Sequence, residues 1–163
     1  MKKNKGFSLI ETLIVVAIFA VLAIVSTQAI IVTLTNSRKA ESSVQTRESL
    51  QYIVSVLERS LRNANNVISA SSDRIIYTDE NNASSVFQCV DATANSNTGR
   101  LLLNSSQVSS QDITITNCNF SMVAGTSDMS DRVMVSISGK AKNLTGTEQT
   151  PITISTIVYL RVY

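Results

Sequence analysis

Residues 12–37 include no charged side chain, and residues 13–25 are apolar throughout, with an apolar run resuming at 29–32 after Ser26, Thr27 and Gln28. A helix needs about 20 mostly apolar residues to cross roughly 30 Å of hydrocarbon, so this segment is long enough to span a membrane. Lys2, Lys3 and Lys5 precede it, and Arg38 and Lys39 follow it. Short basic loops are retained on the cytoplasmic side, which places the first residues inside and everything beyond Arg38 outside. One residue breaks the pattern. Glu11 is an acid at the fifth position of an otherwise almost wholly apolar stretch that begins at Phe7.

A basic start followed by an apolar run also describes a cleaved secretory signal, for which Thr27 and Ala29 offer small residues ahead of a mature start at Ile30. Glu11 speaks against that reading, because an acid opposes insertion by up to about 3 kcal/mol at a helix centre and by less near the interface. No cysteine stands directly behind the run, which disfavours a lipid-modified anchor.

The stretch KGFSLIETLI, residues 5–14, with its short basic leader ending at Gly6, resembles the processing site of type IV prepilins and the related pseudopilins. The resemblance implies that a prepilin peptidase cuts between Gly6 and Phe7 on the cytoplasmic side, then methylates the Phe7 amine and leaves the apolar helix in place. Cleavage creates a charge that the precursor lacks. Glu11 lies four residues beyond the new Phe7 amine, about 6 Å along a helix, and pairing offsets the cost of desolvating each charge alone. The pair forms either within one chain, since positions four apart share a helix face, or between neighbouring subunits; the family resemblance implies the second, at assembly. Many major pilins carry Gly and Pro within this helix. Here no helix breaker occurs between Phe7 and Leu61, which favours a continuous element.

After the polar break TNSRKAES, apolar residues recur as Val44, Leu50, Val54, Leu57, Leu61 and Ala64, broadened by Ile53 and Val56, at helical spacing. Charged residues occupy the other faces, with Glu58 and Arg62 in the favourable i, i+4 order. The sequence thus predicts one helix over residues 7–63, ended by NANN at 63–66 through poor propensity. Beyond it, short β-rich runs alternate with Ser, Thr, Asn and Asp loops: RIIYT, SVFQCV, RLLLN, DITIT, RVMVSIS and ITISTIVYLRVY. An apolar helix stripe needs cover, and a half-buried antiparallel sheet provides it. The expected fold is α+β, divided into a leader (1–6), a membrane or filament-core helix (7–37), an amphipathic helix half (38–66) and a β-rich head (67–163). A chain of 163 residues has room for one such core.

Of the 14 basic residues, three precede Phe7, leaving 11 against 12 acids. This near-neutral remainder carries no basic cluster of the kind that nucleic acid requires. The chain has no histidine and two cysteines, Cys89 and Cys118. That is too few ligands for a structural zinc site, so an extracytoplasmic disulfide is favoured over free buried thiols. The acids Asp79, Glu80, Asp128 and Asp131 fall in loops without an EF-hand pattern and read as turn residues. No phosphate loop, nucleophile elbow or base partner for a serine is present. The expectation is therefore a non-enzymatic subunit without metal or cofactor. The resemblance implies as partners other pilin or pseudopilin subunits, prepilin peptidase, an inner-membrane assembly platform and, before assembly, membrane lipid. A head that binds DNA or a secreted substrate is the alternative class. Residues 49–67 resemble the helix end of J-type minor pseudopilins and W-type minor pilins, where a Leu-Glu-Arg-acid-Leu-Arg pattern recurs; Ser60 stands where that acid is usual.

Overall fold

The computed structural model describes residues 8–125, 130–142 and 150–160. The chain divides into two units, Met1–Ala40 and Glu41–Tyr163, and the helix α1, Leu9–Arg62, contributes to both. In the first unit every described side chain of α1 is exposed. Its apolar stretch is long enough to cross a membrane, and none of it is buried within the chain. A helix apolar on all sides requires an apolar environment supplied from outside itself.

The second unit is α+β. From Glu41 onward α1 buries one face, made of Thr46, Leu50, Ile53, Val54, Leu57 and Leu61. The expected stripe is present from Leu50 on, whereas Val44 is exposed and the unremarked Thr46 takes its place among the buried residues. Against this face stand two antiparallel sheets. The first runs in the order β1-β2-β3-β4-β5, with β1 Asn66–Ala70, β2 Arg74–Thr78, β3 Ser84–Val90, β4 Arg100–Leu103 and β5 Ser106–Gln107. The second runs β6-β7-β8, with β6 Ile113–Val123, β7 Arg132–Ala141 and β8 Ile152–Tyr159. The helix stripe forms one apolar cluster with Ile75, Tyr77, Phe87 and Leu101 of the first sheet and Ile115, Phe120, Val133, Val135, Ile137 and Val158 of the second. Each fully buried Leu, Ile or Phe contributes roughly 1.5–3 kcal/mol.

The alternation expected in β7 is present: Val133, Val135 and Ile137 are buried and pair across the ladder with Val158, Thr156 and Ile154. In β8 only Val158 is fully buried, while Ile152 and Ile154 are half-covered, as befits an edge strand. β6 departs from period two. Residues 113–116 are all buried, and the register shifts between Ile115 and Asn117, so Thr116 is a bulge. There the strand also engages the other sheet, since the Ile115 amide donates to the Gly99 carbonyl at 2.9 Å just before β4. A Cβ on Gly99 would overlap the Ile115 carbonyl oxygen, so this approach requires glycine.

Glu58 and Arg62 form no ion pair, although their spacing suits one. The Glu58 carboxylate instead accepts a hydrogen bond from the Thr156 hydroxyl of β8. A hydroxyl brought in by tertiary packing has displaced an exposed helix pair that is worth only a few tenths of a kcal/mol.

Candidate functional site

The helix of the first unit begins where the local sequence can satisfy its open amides. Ser8 precedes the first helical residue, and its carbonyl accepts from the amides of Glu11 at 3.0 Å and Thr12 at 3.2 Å. Ser8 is therefore the N-cap residue and Glu11 the third residue of the first turn, the Ser-x-x-Glu spacing of a capping box. An acid there also faces the positive end of the helix dipole. Among the described residues the Glu11 carboxylate is exposed and has no hydrogen-bond or ion-pair partner. Gly6 and Phe7, where cleavage and methylation are expected, lie outside the described residues.

Four threonine hydroxyls along the apolar stretch turn inward on their own helix. Thr12 donates to Leu9 O, Thr27 to Ala23 O, Thr33 to Ala29 O and Thr35 to Val32 O, all within 2.8–2.9 Å. Each donor is thus satisfied without water, so these threonines cost little in hydrocarbon. Glu11 is the charged group of this stretch, and among the described residues nothing pairs with its carboxylate.

In the head, Cys89 of β3 and Cys118 of β6 are joined by a disulfide, with Cα atoms 6.5 Å apart and a sequence separation of 29. The bond ties one sheet to the other. The loop acids are occupied in turns. Asp79 Oδ1 accepts from the amides of Asn81 and Ala83, both at 2.9 Å, and Asp131 Oδ1 accepts from the Gly125 amide. Glu80 is exposed, and Asp128 lies outside the described residues. Among the described residues no three acids or cysteines converge as a metal site would need.

Sequence reasoning did not single out Ser8, Gly99 or Thr156. Ser8 carries a local signal in its spacing from Glu11, whereas Gly99 and Thr156 acquire their roles through contacts with β6 and α1.

Residues 1–27 match the profile of the prokaryotic N-terminal methylation motif, the signature of type IV prepilins. The motif supports a type IV pilin- or pseudopilin-like precursor. No curated protein and no solved structure matches the chain.

Proposed function

We propose that this chain is a non-enzymatic minor subunit of a type IV pilus or a secretion-type pseudopilus, cut after Gly6, methylated at Phe7 and assembled through its N-terminal helix. The observation that carries this reading is the methylation motif at residues 1–27 running directly into a helix whose apolar surface finds no cover in its own chain. Lipid covers that surface before assembly. Neighbouring helices cover it in the filament, where Glu11 of an incoming subunit neutralises the Phe7 amine of the subunit before it. The helix is long enough, and free enough of Gly and Pro, to make both transfers without melting. The head then faces outward, and the J- or W-like pattern at residues 49–67 favours a role in low copy at the tip.

Mass spectrometry of the mature N-terminus tests the proposal. It predicts a chain starting at N-methylated Phe7. A start at Ile30 would replace it with an ordinary secreted binding module, and an intact Met1 would rule out prepilin processing.

A further inference from the structure

At the seam between the two sheets lies a pocket of about 240 Å³, built from the loop before β4, the starts of β4 and β6, and the residue after β7. Three hydrogen bonds frame it: Ile115 N to Gly99 O at 2.9 Å, Thr114 Oγ1 to Asn97 O at 3.3 Å, and Lys142 N to Asp112 O at 2.9 Å. These bonds engage the carbonyl oxygens of Asn97, Gly99 and Asp112. What remains to meet a ligand is a set of side chains rich in donors, namely Arg100, Lys142, Asn97, Thr98 and Gln111.

The charge of the lining is one-sided, with two cations and no carboxylate. Among the described residues neither Arg100 nor Lys142 has an ion-pair partner; the pair that does form, Arg74 with Asp73, lies elsewhere. Lys140 stands opposite Thr114 in the β6–β7 ladder but does not line the pocket. The nearby Asp112 takes the Ser110 hydroxyl at 3.3 Å and does not line the pocket.

We propose that this pocket binds a phosphate-type oxyanion, free or as the monoester of a small polar molecule. Two cations match a group carrying about −1.5 to −2 at neutral pH better than a single carboxylate. Arginine presents parallel N–H donors to two of its oxygens, and lysine supplies a point charge to another. The volume falls below the ~300–1,000 Å³ of drug-sized sites, yet it leaves room beside the anion for a small polyol that the carboxamides and hydroxyls would meet. Gly99 holds the seam at the close approach on which this arrangement depends.

The test is calorimetric titration of the full-length protein in neutral detergent with inorganic phosphate and, separately, with glucose 6-phosphate. Saturable binding is expected, weakened at least about tenfold in the double variant Arg100→Gln/Lys142→Gln and unchanged in Arg62→Gln, an exposed cation away from the pocket. Both altered side chains are exposed, and an unchanged melting temperature would show that the fold is retained. Tighter binding of glucose 6-phosphate would assign the site to a monoester, and equal or tighter binding of inorganic phosphate would assign it to the free anion. Failure of both ligands to bind, or equal losses in the double variant and in Arg62→Gln, would overturn the proposal.

Discussion

The hydroxyl of Thr156 donates to the carboxylate of Glu58 across 98 residues of sequence, joining the edge strand β8 to the amphipathic half of α1. Among the described residues β8 pairs only with β7, and one of its inward-facing residues, Val158, is fully buried. This bond therefore anchors a strand that has little apolar burial to hold it. A hydrogen bond to a charged group contributes about 1.5–3 kcal/mol when well shielded, and partial exposure of both partners lowers that. In a double-mutant cycle of Glu58→Ala and Thr156→Val, followed by denaturant unfolding of the full chain in detergent, a coupling of about 1 kcal/mol is expected. Additive effects would mean that the bond does not hold the strand.

Gly99 and Gly139 separate two kinds of crowding. A Cβ at Gly99 would lie 1.9 Å from the Ile115 carbonyl oxygen, a backbone atom held in β6, whereas at Gly139 it would lie 3.2 Å from Leu50 Cδ2 and 3.2 Å from the Thr114 carbonyl oxygen. Both positions meet strand backbone, but the overlap at Gly99 is far deeper, whereas at Gly139 a small shift relieves it. Gly99→Ala is expected to cost about 3 kcal/mol or to prevent folding, and Gly139→Ala about 1 kcal/mol. Melting temperatures of the two variants check the order, which a reversal would refute.

Helix α1 was legible in the sequence because its two environments leave different local marks: an uncharged, mostly apolar run through Val32, then a stripe at helical spacing from Leu50. Strands β2, β3, β4 and β7 were legible from alternating apolar residues between polar loops. Other features depend on partners far away in sequence. The second half of β6, NCNFSMV, reads as polar because alternate residues face solvent, yet its Cys118 and Phe120 are core. The division into two sheets turns on a bulge at Thr116 and a single glycine, neither of which has a periodic signature. Asn104 and Ser105 both adopt positive φ in the two-residue turn between β4 and β5, a hairpin form that Asn favours at its first position, but β5 is too short to show a pattern of its own.

The disulfide between Cys89 and Cys118 closes a loop of about 30 residues, for which loop-closure entropy gives a stabilisation of roughly 3–4 kcal/mol. Replacing both cysteines with serine should lower the unfolding free energy by about that amount, and reduction of the parent should have a similar effect. A change below about 1 kcal/mol in both experiments would show that the apolar cluster alone holds the sheets together.

Leu57 is fully buried, whereas Tyr52 is 63% exposed on the same helix. Leu57→Ala should destabilise the head by about 2–5 kcal/mol, and Tyr52→Ala should fall within about 0.5 kcal/mol of the parent. Denaturation midpoints of the two variants test whether the buried face is assigned correctly, and equal losses would contradict it.

Glu11 has two physical reasons to be where it is, and substitutions can separate them. As the third residue after the Ser8 N-cap, it stands at the Ser-x-x-Glu spacing of a capping box, a position that suits either Glu or Gln. As the proposed partner of a Phe7 amine, it acts through its charge. Glu11→Gln retains an acceptor and a good helix former but removes the charge, whereas Glu11→Asp retains the charge on a shorter arm. If assembly depends on the charge pair, Glu11→Gln should be cleaved and inserted normally yet enter filaments only poorly, with Glu11→Asp intermediate. If capping is the requirement, Glu11→Gln should assemble like the parent. The measurement is the ratio of membrane-retained to filament-borne protein, read by immunoblot of sheared and cell-bound fractions. In the precursor the Phe7 nitrogen is part of a peptide bond, so the pairing charge at Phe7 arises only on cleavage. Full incorporation of Glu11→Gln would therefore leave the carboxylate with a purely local role and remove the charge pair from the assembly step.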